Sequence, residues 1–362
     1  MEIKHAYIEL TKKCNLKCEF CYNNSGNKDY ELNIDNVKSL IKHLKNNYRT
    51  NEISLSGGEP CLYTNVKELV EFINDEKIDI TLVTNGTLLN KINPDILSII
   101  KNIQISLEGK KESNDALRGK GVFDLIHKSV YYLLMNNLIN KVRIRTTLNK
   151  INKNDIEYLI NYCIDNKIKK ISFGVIRKQG RTISKWNNLA LSNEEIYELK
   201  YKIDSYRKKY ERDLEIGIFD VDGGNCSLTN DKINLNLRVD ADGFFYTCHG
   251  FTDKKFSFGN MNDNDFSCFN EGSKLFDLIN TFKKRKDSLL KCKKCIWKKV
   301  SCQGGCPASA FNNYGTIDNL DGNCFLRVKF WKDNFIESKK KGGVIEWKNI
   351  LLLKLKVSVR MN

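Results

Sequence analysis

Cys14, Cys18 and Cys21 stand on one short loop, spaced C-x3-C-x2-C, at the end of the first apolar run of the chain. Three thiolates on one loop can hold three irons of a [4Fe–4S] cube and leave the fourth iron without a protein ligand. An open iron is a place for chemistry, whereas a fully ligated cluster mainly stores or carries electrons. From the residues alone the competing account is a zinc site short of a ligand, since zinc knuckles pair C-x2-C with a fourth Cys or His and none is adjacent. Downstream stands Ser56-Gly57-Gly58-Glu59-Pro60. Its two glycines let the backbone approach a ligand closely, and Glu59 offers a negative charge to an ammonium. As a bare string it reads equally well as a tight turn. Thr84-Asn85-Gly86 and Ser106-Leu107-Glu108-Gly109 close two further apolar runs.

A second group of thiols lies toward the C-terminal end. Cys292-x2-Cys295-x6-Cys302-x3-Cys306-x17-Cys324 follows Gly243-x4-Cys248, itself preceded by Cys226. Thirteen cysteines is an odd number, and ten of them fall in these clustered spacings, which favours metal ligation over disulfides. A zinc ribbon built from the C-x2-C and C-x3-C pairs competes with iron here. Cys163 sits in a helical pattern and reads as core. The four histidines, His5, His43, His127 and His249, are not at metal spacing; His249 adjoins Cys248, where it reads as the support of a ligand in preference to an iron ligand itself. No Ser-His-Asp arrangement, P-loop or EF-hand string occurs, so hydrolase, NTPase and calcium readings have no support.

The elements that must position these groups follow from periodicity. Apolar or β-branched runs at Ala6–Leu10, Glu52–Leu55, Ile78–Val83, Ile103–Ser106, Val142–Thr147 and Lys170–Ile176 read as strands. Amphipathic stretches such as Asn33–Asn46, Val66–Asn74 and Asn154–Asn166 read as helices between them. Six such repeats predict an α/β fold with a parallel sheet, a partial (β/α)6 TIM-like barrel, with every motif near the C-terminal end of a strand. Residues 1–220 form this barrel. Residues 221–340, rich in Cys, Gly, Asn and Asp, are expected to form a small irregular domain stitched by metal, because their core is too sparse to fold alone. Residues 341–362 form a tail element behind Gly342-Gly343, in which Leu353–Val359 alternates like a strand or packs as a simple tail.

The net charge of +16 is spread along the whole chain in a lysine- and asparagine-rich composition, and no nucleic-acid motif accompanies it. Solvated lysine faces account for most of it, and attraction of an acidic partner such as a peptide is the functional alternative. No apolar run approaches the ~20 residues of a membrane span, and the N-terminus has no secretory pattern, so no membrane role and a cytoplasmic location are expected.

The string Cys14-Asn15-Leu16-Lys17-Cys18-Glu19-Phe20-Cys21-Tyr22, followed in order by the other motifs, resembles the radical S-adenosylmethionine (SAM) superfamily over about residues 3–335. The resemblance implies that SAM occupies the open iron of the Cys14/Cys18/Cys21 cluster and is cleaved to a 5′-deoxyadenosyl radical that abstracts hydrogen. It further implies SAM contacts from Phe20, Gly57, Gly58, Glu59, Pro60 and Asn85, with Ser106 and Arg118 on the cofactor carboxylate. Two departures bear on that carry-over: Glu108 stands for the usual Asp, and Asn114-Asp115 stands where a His often precedes the arginine, which leaves Arg118 open to being an ordinary surface arginine.

The C-terminal cysteines resemble the SPASM extension of peptide- and protein-modifying members. By motif position Cys292, Cys295, Cys302 and Cys324 would ligate one auxiliary Fe–S cluster and Cys226, Cys248 and Cys306 the other. That second cluster is one ligand short in the motif: Cys268 supplies the fourth ligand, or the iron is open, or the site holds a smaller cluster. Cys61 and Cys268 are candidate hydrogen-atom donors. The implied function is a maturase of a ribosomally made precursor peptide, most simply by crosslinking. The alternatives are a formylglycine-forming sulfatase maturase, a peptide epimerase, and a small-molecule enzyme of cofactor or haem biosynthesis. The implied partners are the precursor peptide, a separate leader-recognition protein (the first strand begins almost at residue 3) and a flavodoxin- or ferredoxin-type electron donor.

Overall fold

Alternation within β5 (Val142–Leu148) shows how this sheet is built. Val142, Ile144, Thr146 and Leu148 are buried on one face, while Arg143, Arg145 and Thr147 point to the other and stay partly open. The apolar face packs under helices, as the period of two requires. β1 (His5–Glu9), β2 (Glu52–Ser56), β3 (Asp79–Thr84), β4 (Asn102–Ser106), β5 and β6 (Lys170–Val175) pair in sequence order, all parallel. Helices Ile34–Tyr48, Val66–Asp75 and Ile156–Asp165 are among the crossovers. The first starts where Asn33 accepts the backbone N–H of Asp35 and Asn36 at 2.8 and 3.2 Å, and it buries Val37, Leu40, Ile41 and Leu44.

This computed structural model describes residues 1–218, 226–229, 233–263, 265–299 and 302–340; the tail assigned to 341–362, with its Leu353–Val359 run, lies outside them. Beyond the six expected strands the sheet continues on both sides. β7 (Glu215–Gly217) adds parallel to β6, and β8 (Leu237–Val239) adds parallel to β1. β9 (Phe244–Tyr246) and β10 (Ser257–Asn260) complete that side as antiparallel strands, giving the order β10-β9-β8-β1-β2-β3-β4-β5-β6-β7.

The sheet curls. Tyr7 of β1 acts electrostatically on Arg145 of β5, although four strand spacings, about 19 Å, would separate those strands in a flat sheet. The face carrying Tyr7 and Arg145 is therefore the inside of a partial barrel, and it is polar.

The chain divides into two units, Met1–Phe219 with Asp231–Leu278, and Asp220–Asn230 with Ile279–Asn362. The sequence puts one boundary near 220, and the first unit takes in residues beyond it, because β8 completes hydrogen bonds along the outer edge of β1 and Phe245 packs its ring 5.8 Å from Phe258 and 5.3 Å from Phe269. The second unit contains Leu290–Lys293, Pro307–Tyr314 and Cys324–Lys340 as helices, joined by glycine-rich loops. Among the described residues no helix is long and apolar enough to cross a membrane.

Phe245 is 0 % exposed, so Phe245→Ala should destabilise the barrel unit by about 3–5 kcal/mol. Denaturant unfolding followed by circular dichroism checks this, and an unchanged midpoint would mean that β8–β10 are not part of the barrel core.

Candidate active site

After β1 and β2 end, their chains keep pairing. Leu10 N–H donates to Ser56 C=O at 2.8 Å, Gly58 N–H to Thr11 C=O at 2.7 Å and Glu59 N–H to Lys13 C=O at 2.9 Å. The glycine turn thereby lies flat against the strand end that leads into Cys14. Gly57 has φ +135° and a Cβ there would stand 2.6 Å from the Thr11 carbonyl oxygen; one on Gly58 would overlap the Lys13 carbonyl and come within 3.0 Å of the Cys14 Cβ. Two glycines are needed because two backbones touch.

Glu59 does not present its carboxylate outward. It is 0 % exposed; its Oε1 accepts from Thr84 Oγ1 at 2.7 Å and Cys61 N–H at 3.1 Å, and its Oε2 accepts from Asn85 N–H at 2.8 Å. Burial pushes its pKa up, and these three donors oppose the rise. The side chain ties the turn to the end of β3. What the turn leaves open to a ligand is its backbone, not this carboxylate. Pro60 opens the following short 3-10 turn and is buried. Asn85 continues the brace, donating from Nδ2 to Asn15 Oδ1 at 2.9 Å and lying 4.0 Å from the Cys14 sulfur.

On the other flank, Arg118 ends the helix Lys111–Arg118 and is 8 % exposed, not a surface arginine. It donates from Nε and Nη2 to Glu108 Oε1, its Nη1 stands 3.8 Å from the Cys18 sulfur, and its guanidinium covers the Phe20 ring at 5.3 Å. Burial, the largest influence, works against its charge, but the facing Glu108 carboxylate together with Cys18 and Cys21 leaves its pKa raised. Glu108 Oε2 accepts from Thr147 N–H at 2.7 Å. Asn114, in the place of the family's His, accepts the Glu108 N–H at 3.1 Å on Oδ1. Ser106 ends β4 beside Arg145 of β5, its register partner.

The three thiols of the loop act on one another, and burial pushes Cys14 up to about 11 and Cys18 upward, Arg118 opposing the latter. Among the described residues no three His, Cys, Asp or Glu side chains converge tightly enough for a single metal ion. A cube, one iron per thiolate, spreads its ligands over a wider footprint. Three thiols with no further Cys or His on the loop suit three irons of a cube better than a four-ligand zinc site. Cys61 and Cys268 are not part of this convergence. The Cys61 thiol faces Thr84 Oγ1 at 4.0 Å with its pKa raised by burial and by Glu59, and Cys268, raised to about 11 by burial, packs against Gly259 of β10.

Four supports escape a reading of the sequence. Glu9, 0 % exposed, accepts from Arg238 Nε at 2.8 Å and Nη2 at 2.9 Å, from Tyr22 Oη at 2.9 Å and from Asn23 Nδ2 at 2.9 Å. Arg238 also donates to Phe251 C=O at 2.8 Å. Beyond β6, Arg181 donates from Nε to Cys18 C=O at 2.8 Å and from its backbone N–H to Cys21 C=O at 2.9 Å, and Thr182 Oγ1 donates to Phe20 C=O at 3.1 Å. The one available signal was Glu9, a charged residue inside the first apolar run. His249, edge-on to Tyr7 at 4.0 Å, is pushed down to about 3 by burial and by Arg238, so it is a neutral imidazole.

In the second unit Cys292, Cys295, Cys302 and Cys324 line one cavity with Trp297, Arg327 and Trp331. Arg285, 3 % exposed, donates from Nη1 to the Gly304 and Gly305 carbonyls at 2.6 and 3.2 Å, from Nε to the Ile317 carbonyl and from Nη2 to the Asn319 carbonyl. Buried Asp321 pairs with Arg327 and accepts the Cys306 N–H at 2.8 Å. Cys306 and Cys226 act on each other within this unit, whereas Cys248 belongs to the first.

Residues 8–163 match the model of the Radical SAM superfamily. The chain is similar to Fe-coproporphyrin III synthase of Methanosarcina barkeri, 26 % identical over 359 residues, covering 88 % of this chain and 86 % of that protein. It is also similar to mycofactocin maturase MftC of Mycolicibacterium smegmatis, 26 % identical over 351 residues, 92 % and 84 % covered. The fold matches Streptococcus suis SuiB bound to precursor peptide SuiA with a TM-score of 0.69 at 19 % identity, 88 % and 75 % covered. The cysteine loop and the glycine turn that holds it at the mouth of the parallel strands both lie within residues 8–163, the segment that is a radical SAM domain.

Proposed function

We propose that this enzyme matures a ribosomally made peptide, abstracting hydrogen from it and leaving a crosslink. The observation that carries the reading is the similarity to a maturase along 92 % of the chain, including the C-terminal cysteines. A [4Fe–4S] cluster on Cys14, Cys18 and Cys21, when bound and reduced, supplies the electron that cleaves SAM to a 5′-deoxyadenosyl radical. The protein's own part is to orient. Gly57 and Gly58 bring backbone within reach of the SAM amino group, Ser106 and Arg118 stand for its carboxylate, and Phe20 and Asn85 border the same space. A guanidinium suits a carboxylate because its charged N–H groups donate strong hydrogen bonds to it. Glu108 holds that guanidinium by Nε and Nη2, which leaves Nη1 toward the cysteine loop.

The cavity lined by Cys292, Cys295, Cys302 and Cys324 fits an auxiliary cluster, and Cys226 with Cys306 belongs to a second set that Cys248 completes by motif position. Crosslinking removes two hydrogen atoms, so one electron beyond the SAM couple must leave, and an auxiliary cluster is a suitable acceptor. A leader-binding partner and a flavodoxin- or ferredoxin-type donor belong to the same proposal. A second reading, conversion of a haem precursor, is favoured by one observation, the equal identity to Fe-coproporphyrin III synthase over 88 % of the chain.

Anaerobic incubation of the reconstituted enzyme with SAM, reductant and the peptide encoded beside its gene should release 5′-deoxyadenosine and take two hydrogen atoms from the peptide by mass spectrometry. An unmodified peptide together with conversion of an iron porphyrin would favour the second reading. Cys14→Ala should abolish 5′-deoxyadenosine. Cys292→Ala should leave its formation in place and stop the finished product, and a variant that still makes the crosslink would sink the auxiliary-cluster assignment. Gly58→Ala should lower SAM affinity at least tenfold in equilibrium dialysis, about 1.4 kcal/mol or more, because its Cβ displaces the loop that carries Cys14.

A further inference from the structure

The polar inside of the barrel carries a column of arginines with no partner. Arg143 and Arg145 project from β5 two residues apart onto the inner face, and Arg177 follows the end of β6 at the mouth. Among the described residues none of the three side chains makes a salt bridge or a hydrogen bond, and the Nε of Arg143 is buried with no acceptor. The neighbouring carboxylates are engaged elsewhere: Glu108 with Arg118 and Thr147, Glu9 with Arg238, Tyr22 and Asn23.

Space has been made for this arrangement. Gly174 of β6 lies two residues beyond Ser172, the register partner of Arg145, and any Cβ on it would overlap the Arg145 guanidinium. Burial lowers the pKa of Arg145, and Arg177 and Arg143 lower it further, while Glu108 only partly offsets them. A half-buried guanidinium among like charges is costly without an anion. The inner face of β1 opposite supplies Tyr7, a neutral group, not an anion.

We propose that Arg145, flanked by Arg143 and Arg177, forms a subsite for a carboxylate inside the barrel, and that the carboxylate is an Asp or Glu side chain of the peptide substrate. This deepens the peptide reading above and rests on it. The other carboxylate that enters this barrel is the one on SAM, for which Arg118 and Ser106 stand nearer the cysteine loop. Guanidinium pairing fixes a side chain in register as well as holding it, so Arg145 would select which residue of the peptide is presented to the radical. The net charge of +16 draws acidic chains toward the protein in general. Arg145 makes the choice local.

The test uses the reconstituted, SAM-bound enzyme, immobilised anaerobically and exposed to a random synthetic heptapeptide mixture, with bound peptides read by mass spectrometry. Wild type should enrich Asp or Glu about tenfold, the factor expected of one charge-assisted contact. Arg145→Gln should lose that enrichment and Arg145→Lys should keep part of it. A control with exposed Lys42 and Lys120 both changed to Gln should keep it in full. SAM affinity, measured without peptide, should be unchanged in Arg145→Gln. Exposed Arg177→Gln, which cannot disturb the core, should lower the enrichment as well and guards against a folding defect in Arg145→Gln.

Acidic enrichment absent from wild type, or equal in Arg145→Gln, overturns the proposal. A tenfold loss of SAM affinity with peptide enrichment intact also overturns it, by assigning the carboxylate to the cofactor. The selection needs no turnover. A wild-type enzyme that binds acidic peptides but forms no 5′-deoxyadenosine with SAM and reductant would therefore fail the radical reading and leave this one standing.

Discussion

The buried pair Glu9–Arg238 is the interaction on which the rest of this architecture leans. Both side chains are almost completely removed from water, at 0 and 2 % exposure, and they meet through two parallel hydrogen bonds. Burial pushes the Glu9 pKa up, but the guanidinium outweighs it and holds the carboxyl below the usual range. Removing one partner of such a pair leaves a buried charge, at a cost of roughly 3–5 kcal/mol. Its position matters more than its energy. Glu9 is the last residue of β1, Arg238 lies on β8, and the remaining lone pairs of Glu9 hold Tyr22 and Asn23, the two residues directly after Cys21. One carboxylate joins the barrel, the late strands and the cysteine loop, so the loop cannot shift without breaking contacts in two other elements.

The same device recurs around the site. Glu59 anchors the glycine turn to β3 through the Thr84 hydroxyl and the Asn85 and Cys61 amides, and Glu108 anchors Arg118 while accepting from β5 at Thr147. All three acids face inward and bind the protein itself. A carboxylate that accepts several hydrogen bonds is a rigid node in a low-dielectric setting, and rigidity is what a radical site requires if the radical is to meet one hydrogen atom and not its neighbours. The groups left to meet small molecules are backbone atoms, hydroxyls and arginines.

The barrel was legible because its signals are long and redundant. Each of the six strands falls within a residue of its apolar run, and the helices within two, since a period of 2 or 3.6 over five to fifteen residues leaves few alternatives. The cysteine loop and the glycine turn were visible as strings because their spacing is itself the signal. β8, β9 and β10 were not, being three or four residues long; no period can be counted in Leu237–Val239, and their place in the sheet depends on pairing with β1 far back in the chain. Glu59 shows another limit. Its charge was evident in the sequence, but whether the carboxylate faces a ligand or its own backbone is decided by Thr84 and Asn85, residues brought to it by a parallel crossover.

The inner face of the barrel gives the last step. Parallel β/α barrels usually fill their interior with branched apolar side chains in layers, which makes the interior a core. Here β1 turns His5, Tyr7 and Glu9 inward, β2 Ser54 and Ser56, and β5 Arg143, Arg145 and Thr147, while the apolar residues of those strands pack outward under the helices. Some of these polar groups satisfy one another, as His5 with Ser54 at 2.8 Å and Tyr7 with Ser56 at 2.6 Å. The β1–β2 side of the interior is thus a closed hydrogen-bonded surface, and the β5 side is not. A sheet that curls but does not close can carry such a surface because its stability comes from the outer, helix-covered face. The interior is then free to be shaped by what enters it.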